Sequence, residues 1–496
     1  MHWSIVVTAS NLREETKEPQ VGITTKKSEN FSEWYTEVVL KSELADYSPA
    51  SGFMVFRPRA YAIWEKIQAF FDREIKKRGI QNAYFPLVIP ESLLRKEMEH
   101  FEGFVPEVAW VTMTGDRELG ERLAIRPTSE TIMYHSYAKW ISSYKDLPLR
   151  LNLWNSVVRM EFGDPKLFLR TREFLWQEGH SCFATKGEAE EEVTDILNLY
   201  AKVVQDLLAI PVLTGRKSRL EKFAGAEYTM TLESIMTDLR VLQMGTSHHL
   251  GRNFAKVFDI TFSDKDGERR YVYQNSWGIS TRLLGAMVMV HGDDRGLVVP
   301  PKVADPKVVI IPIFYSEEEK TLVHRECRAI LDELEGHGIA TIYDDRDDRT
   351  PGWKFNEWEL KGVPVRLEVG PRDIAKGETV LVRRDTYEKS AVSRDDLAAS
   401  VEETLDAIQA YLFGRAKAFQ QDHTTQVVDF EEFRKALQNT GGFVKACWCG
   451  RDECERSVKE ETGATSRLIS TEKEVFSPCV YCGDTANHIV YFAKAY

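Results

Sequence analysis

Hydrophobic and polar positions divide the chain into stretches of different rhythm. Over Arg57–Arg78 the residues Tyr61, Trp64, Ile67, Phe71 and Ile75 recur at spacings of three and four, which predicts an amphipathic helix ended by Gly79. Helices are also expected at Phe31–Lys41, at Ser129–Ser143 behind the opening Arg126-Pro127-Thr128, and at the long, acidic Glu188–Leu208. Tyr84–Ile89 reads as a strand that Pro86 confines to an edge or an interface. Leu149–Phe162 and Phe168–His180 are strand-like. The turn-type run Gly163-Asp164-Pro165-Lys166 between them predicts a long antiparallel hairpin.

Beyond Pro300-Pro301 the rhythm changes. Val308–Phe314, Ala340–Tyr343, Val363–Val369 and Thr379–Arg383 read as strands, and Glu317–Gly336 and Arg394–Phe413 as helices. This alternation predicts a small α/β unit with a mixed sheet. A chain of 496 residues also exceeds one hydrophobic core. The expected division is an N-terminal extension at 1–30, an α+β unit at 31–304, the α/β unit at 305–413 and a third unit at 414–496.

Composition changes this picture little. Hydrophobic residues make up 43% and charged residues 29%, ordinary values for a globular protein. Apolar runs such as Val308–Ile313 are far shorter than the roughly 20 residues of a membrane helix, and the N-terminus has no basic segment followed by an apolar core. The expectation is a cytoplasmic protein without membrane contact. A net charge of −12 argues against a protein that coats nucleic acid, while leaving room for a local basic face.

The cysteines are more informative. Cys182 and Cys327 stand alone, whereas Cys447, Cys449, Cys454, Cys479 and Cys482 fall within the last 50 residues. Such a cluster, in a chain without a secretion signal, favours a metal over disulfides. Four thiolates suit tetrahedral zinc, five candidates compete for the four places, and free thiols are the alternative.

Three constellations carry candidate chemistry. On the hairpin, Arg159 and Glu161 share one face of the first strand. Arg170, Arg172, Phe174, Trp176, Glu178 and His180 share one face of the second. Charged groups mixed with aromatics make a poor core and a good floor for a ligand with both charged and apolar parts, although a solvated face with surface ion pairs has the same pattern. The second is Gln243–Gly251, where glycines bracket Thr246, Ser247, His248 and His249. Adjacent strand residues face opposite ways and the His-Glu-x-x-His pattern is missing, so one packed and one exposed histidine is the bland alternative to a metal site. The third is Gln274–Arg282, a strand leading into a helix whose first turn offers Ser280 and Arg282. Gly215-Arg-Lys-Ser218 superficially looks like a phosphate loop, but it lacks the upstream glycine and the glycine before lysine.

Taken in order, Arg126–Glu130, Val158–Phe162, Phe168–His180, Gly245–His249 and Trp277–Arg282 resemble the prolyl-tRNA synthetases of archaeal and eukaryotic cytoplasmic type, a family of class II aminoacyl-tRNA synthetases. The resemblance runs from about residue 30 to the C-terminus. It implies a fold built on an antiparallel-sheet class II core, then a mixed α/β anticodon-binding domain and a small zinc-binding α+β domain. It also implies a ligase that forms prolyl-adenylate from L-proline and ATP, releases pyrophosphate and loads proline onto tRNA(Pro).

The site residues follow from the same resemblance. Arg159 would bridge the substrate carboxylate and the α-phosphate, for which the planar guanidinium fork is suited. Arg282 would stack on adenine or hold the γ-phosphate. Glu161, Arg170 and Thr171 look like adenine and phosphate contacts, and Gln243 and Thr246 match positions that hold the nucleotide and its Mg2+. Thr128 and Glu130 match positions that receive the secondary ammonium of proline. Phe174, Trp176 and Phe223 would wall its ring, and Glu178, His180, His248 and Ser280 would complete the rim. Trp353, Arg366 and Arg372 are expected at unpaired anticodon bases.

Cys449, Cys454, Cys479 and Cys482 match the family's structural zinc ligands, with Cys447 able to displace Cys449. The resemblance further implies a homodimer through Arg57–Arg78 and the strand after it, and no editing domain is expected between the hairpin, which ends at His180, and the third constellation with Arg282. Three other readings compete. A synthetase for another small amino acid, such as threonine, would use a catalytic zinc with Cys and His ligands. A silent RNA-binding paralogue would be expected to have lost Arg159, Arg282 or Glu130. A zinc hydrolase would need a catalytic metal motif that is missing.

Overall fold

In the computed structural model, described over residues 22–98, 107–160 and 165–496, the expected helices form close to where their caps place them. Helix α1 is Phe31–Lys41, with the Asn30 side chain accepting from the Glu33 amide. Helix α2 is Pro58–Lys77, with proline in the first turn where a missing N–H costs nothing. Ser129 precedes α3 (Glu130–Trp140). Helix α4 (Lys186–Lys202) opens on a reciprocal capping box between Thr185 and Glu188, then loosens into a π-turn at Val203–Leu207.

The main sheet is built on the predicted hairpin. Strand β1 (Leu149–Val158) pairs antiparallel with β2 (Glu173–Phe183), from Leu149 opposite Cys182 to Val158 opposite Glu173. The second strand thus begins five residues later than the sequence pattern suggests. Residues 166–170 turn back on themselves instead, with the Lys166 and Arg170 backbones bonded and Phe168 at a positive φ of 61°. Arg170 and Arg172 therefore precede the strand whose face they were expected to share. Tyr84–Ile89 is not a strand either. Pairing is limited to Gln81–Asn82 and Val88–Pro90, on either side of Pro86, which has no N–H to give a ladder.

Strands β3 (Leu213–Arg216), β4 (Tyr228–Ile235), β5 (Val241–Gly251) and β6 (Tyr273–Ser280) extend the sheet antiparallel, in the order β3-β4-β5-β6-β2-β1. Helix α5 (Arg282–His291) follows β6. Helices α1, α2, α4 and α5 cover one side of the sheet and bury Trp34, Tyr35, Trp64, Phe71 and Tyr200 there, with Phe71 stacked on Tyr200 at 5.2 Å. The apolar stripe of α2 (Ile63, Trp64, Ile67, Phe71, Ile75) is thereby spent inside its own subunit.

The α/β unit has a five-stranded mixed sheet. Val308–Pro312 pairs parallel with Thr341–Tyr343 and Val365–Val369, and the last pairs antiparallel with Glu378–Arg383. Helix α6 (Leu397–Asp422) then runs through the boundary expected at 413, despite Gly414, because Leu405, Ile408, Leu412 and Ala416 keep one face buried. Its Gln409 amide donates to the carbonyls of Asp206 and Leu207 in the π-turn, tying the two units together.

The C-terminal unit is continuous with the catalytic sheet. Phe443–Trp448, His488–Ala493 and β7 (Thr465–Ile469) form one run of strands, and β7 lies against β3, pairing Ile469 with Arg216. The approach is so close that a Cβ on Gly215 would sit 2.4 Å from the Ile469 carbonyl oxygen. Helix α7 (Asp452–Thr462) packs beside β7.

Candidate active site

The open face of the sheet carries a cavity of about 280 Å³. Period-two alternation delivers its floor. Trp176, Glu178 and His180 project from β2 into it, while Gln177 between them points the other way and meets Tyr200 behind the sheet at 2.6 Å. From β1, Asn155 lies opposite Trp176 and fixes it, its Oδ1 accepting from the indole N–H at 2.6 Å. Gly179 is required here for space: a Cβ would lie 2.1 Å from the Trp277 ring of the neighbouring β6.

One end of the cavity is acidic and buried. Glu130 stands at the start of α3, and the Thr128 hydroxyl donates to its carboxylate. Glu178 accepts from the Ser129 amide at 3.1 Å, from Asn155 at 2.9 Å and from the Ser129 hydroxyl. His180 Nε2 lies 3.0 Å from Glu178, and Tyr134 OH lies 3.2 Å from the other ring nitrogen. Burial alone would raise the Glu178 carboxyl, but His180 and these hydrogen bonds outweigh it and hold the group below its usual range. Glu130, Glu178 and His180 bring one ligand atom each within 4.8 Å of one another.

Beside it lies a cationic and aromatic corner. Arg159, just past β1, donates from Nε to the Pro127 carbonyl at 3.0 Å. Its guanidinium stands 5.4 Å from the Phe174 ring and 5.4 Å from the Trp176 ring, which are edge-to-face with each other. Arg126 braces this corner through the carbonyls of Phe85 at 2.7 Å and Ser156 at 3.1 Å. Ser280 and Arg282 enter from the β6–α5 junction, where the Arg282 amide donates to Ser280 Oγ at 3.3 Å.

The wall opposite comes from β4, β5 and the loop before β4. His248 sits between two hydroxyls, Thr229 at 2.9 Å and Thr246 at 3.0 Å. Burial, helped by the charge on His180, pushes its pKa down to about 3, so the ring is neutral at ordinary pH. One nitrogen then donates and the other accepts, and the two threonines take opposite roles. The Phe223 ring lies tilted against His248, with centroids 4.7 Å apart, and Gln243 completes this side. The adjacent His249 points away and meets Asn275 at 3.0 Å, so the histidine pair does not act together.

Thirteen residues named from the sequence thus line one cavity: Arg159, Arg282, Thr128, Glu130, Phe174 and Trp176, together with Glu178, His180, Phe223, Gln243, Thr246, His248 and Ser280. Three do not. Arg170 is exposed, and Thr171 bonds the Glu173 carbonyl at 2.8 Å, both in the connection between β1 and β2. Glu161 lies outside the described residues. The sequence reading also missed Lys217, Glu221, Thr229 and Ser276, which line the cavity too. Lys217 belongs to the very tetrapeptide that fails as a phosphate loop, so a motif test dismissed a segment that the fold brings to the site.

Outside this cavity, Cys449, Cys454, Cys479 and Cys482 have sulfurs within 4.8 Å of one another, with Cys449 at 3.6 Å from Cys454 and 3.9 Å from Cys482. Four thiolates about 2.3 Å from a tetrahedral zinc stand about 3.8 Å apart, so this donor set fits that ion. Cys447 is elsewhere: its sulfur accepts from the Phe476 amide at 3.3 Å and packs with Ala486 and Ile489. In the α/β unit, Trp353 is flanked by the guanidiniums of Arg349 at 4.7 Å and Arg346 at 5.3 Å. Arg372 is exposed. Arg366 is buried and committed to Glu359 at 2.8 Å and Glu368 at 3.0 Å, which leaves it no free fork for a base.

Comparison with known proteins matches three families in the same order. The class II tRNA synthetase core domain (G, H, P, S and T) matches residues 110–291, the anticodon-binding domain 307–404 and the prolyl-tRNA synthetase C-terminal domain 430–496. The chain is 52% identical to the proline–tRNA ligase of Cenarchaeum symbiosum (strain A), over 96% of this chain and 100% of that one. It is 52% identical to the proline–tRNA ligase of Alkaliphilus oremlandii over 94% and 96%, and 51% identical to proline–tRNA ligase 2 of Clostridioides difficile over 95% and 98%. With an antiparallel catalytic sheet, an anticodon-binding domain and a matching C-terminal domain, all collinear with these relatives, the chain belongs to the proline–tRNA ligase family of class II aminoacyl-tRNA synthetases.

Proposed function

We propose that this cavity activates L-proline with ATP and passes it to tRNA(Pro). One observation carries the reading: a single small cavity joins a buried acidic end, Glu130 with Glu178, to a guanidinium held over aromatic rings at Arg159. Proline has a secondary ammonium within an apolar ring and a carboxylate on the carbon next to it. The ammonium meets Glu130 and Thr128, a charge-assisted contact of about 1.5–3 kcal/mol. Phe174, Trp176 and Phe223 enclose the ring, and Arg159 receives the carboxylate.

Arg159 also draws in the α-phosphate. A proline carboxylate oxygen attacks that phosphorus in line, the bond to the bridging oxygen breaks, and pyrophosphate leaves with prolyl-adenylate formed. The terminal ribose hydroxyl of tRNA then attacks the carbonyl, and AMP departs. No strong base is needed in the first step, because the nucleophile is already an anion; positioning and charge neutralisation supply the rate.

Arg282 holds the adenine or the γ-phosphate, Gln243 and Thr246 would hold the nucleotide with its Mg2+, and Glu161, Arg170 and Thr171 contact the adenine and the phosphates. Neutral His248, fixed by two threonines, shapes the wall without adding a charge near the ammonium. In this reading Trp353 and Arg372 face the anticodon, and editing has no place in the chain. Cys449, Cys454, Cys479 and Cys482 hold one Zn2+, which supplies only the cross-link of the C-terminal unit. The reaction belongs in the cytoplasm, carried out by a homodimer. Exposed Tyr84, Leu87 and Trp140 supply apolar surface for the subunit contact, since the stripe of α2 is used internally.

The test is amino-acid-dependent exchange of labelled pyrophosphate into ATP across a panel of amino acids. Proline is expected to give exchange far above alanine, cysteine and threonine. Exchange at background with proline would end the proposal.

A further inference from the structure

The loop Lys217–Phe223, between β3 and β4, supplies Lys217, Glu221 and Phe223 to the cavity. Within the loop, bonds are few: the Glu221 amide and the Lys222 amide reach Ser218, and the Phe223 amide reaches Thr229 Oγ1 at 3.0 Å. That same hydroxyl bonds His248. The Lys217 amide also donates to the Thr229 carbonyl at 2.8 Å, the Phe223 carbonyl accepts from the Ala226 amide at 3.1 Å, and the Phe223 ring stacks on Phe254 at 6.4 Å. Further support comes from the far end of the chain.

Helix α7 carries Asp452, Glu455 and Lys459 at spacings of three and four, hence on one face. Each meets the loop. Asp452 pairs with Arg219, Glu455 accepts from the Ser218 hydroxyl at 2.6 Å, and Lys459 lies 4.0 Å from Glu221. Beside them, Arg467 of β7 and Lys217 converge on the buried Glu233 of β4. The Arg467 guanidinium is 2.8 Å from one carboxylate oxygen and the Lys217 ammonium 2.7 Å from the other. Lys217 also donates to the Arg467 carbonyl at 2.8 Å. Cys454, one of the four clustered thiols, lies in the first turn of α7, between Asp452 and Glu455.

We propose that the C-terminal unit acts as the brace of the amino-acid pocket: helix α7 and Arg467 hold the Lys217–Phe223 loop in its binding geometry, and the four-thiol cluster holds α7. Asp452, Glu455 and Arg467 are thus positioning residues for proline, although none of them is among the residues lining the cavity. This rests on the reading of the cavity given above. A loop that must be ordered by the amino acid itself takes that cost out of its affinity. Loss of the brace therefore acts on the KM for proline before it acts on ATP.

The experiment uses full-length protein and proline-dependent pyrophosphate exchange. Glu455→Gln and Arg219→Gln, the second at an exposed position that does not threaten folding, are expected to raise the KM for proline about five- to tenfold. The KM for ATP and kcat are expected to stay within twofold. Hydrogen exchange of the 218–223 amides should quicken in both variants and in chelator-treated wild type, and saturating proline should restore protection in the variants. Unchanged proline KM with unchanged loop exchange would overturn the proposal. So would a fall in kcat alone, which marks loss of folded enzyme. Wild-type protein that gives no proline-dependent exchange, yet shows faster loop exchange in the variants, would instead overturn the assignment of proline and leave the brace standing.

Discussion

In the proposed reaction Arg159 stands where the two substrates meet, and its setting explains why the residue type matters. Its Nε is used by the Pro127 carbonyl, and the guanidinium rests 5.4 Å from each of two rings, so the terminal nitrogens are aimed while the chain is fixed. A lysine at this place keeps the charge and loses both the fork and the stacking. Arg159→Lys is expected to lower kcat of proline-dependent pyrophosphate exchange by about 100-fold or more. Its circular dichroism should match wild type, since the residue is no part of the core. Exchange within threefold of wild type would refute the role. The residue itself was legible in the sequence. Its stacking was not, because Phe174 and Trp176 reach it only once the strand pairing is set.

Elements contribute through register. The pairing of β2 with β6 sets Gly179 opposite Trp277, and the indole occupies the space where a side chain would be. Gly179→Ala must push that ring, which is packed near Phe71 at 6.2 Å. The expected cost is about 1–3 kcal/mol of stability, read as an earlier midpoint in urea, with a weaker hold on proline because Glu178 and His180 flank the shifted residue. An unshifted midpoint would show that the ring has room to move. At this scale the sequence predicted the hairpin and its alternating face, and misplaced the start of β2. Hydrophobic pattern does not reveal that residues 166–170 fold back into a turn.

At the scale of the molecule, a buried ion pair adds to the sheet and amide contacts that join the units. Arg384 of the five-stranded sheet unit is buried and grips Asp293, just past α5, through two nitrogens at 2.8 Å each, and Tyr387 OH reaches the same carboxylate at 2.5 Å. Burial works against the charge on Arg384, but Asp293 outweighs it and raises its pKa. Breaking this link costs about 1–3 kcal/mol by leaving a carboxylate without its partner. Its effect falls on the angle between the anticodon-binding domain and the catalytic domain. Arg384→Met is expected to reduce tRNA charging about tenfold while pyrophosphate exchange stays within twofold. Equal loss in both assays would place the contact in catalysis rather than in tRNA alignment.

The sequence by itself determined what is local or repeated along the chain. The helices follow from spacing and caps, the hairpin from alternation, and the catalytic family from ordered motifs around Arg159 and Arg282. Only the tertiary structure decided what depends on residues far apart in the chain. It separated Cys447 from the four clustered thiols and committed Arg366 to two carboxylates. It turned the apolar stripe of α2 inward, and it carried α6 across an expected boundary. It also brought Lys217 to the cavity and Arg467, 250 residues later, to its side. The physical reason is the same in each case. A side chain's chemistry is written in its residue type, but whether its charge is spent on a neighbour or left for a ligand depends on what the folded chain places within a few ångströms.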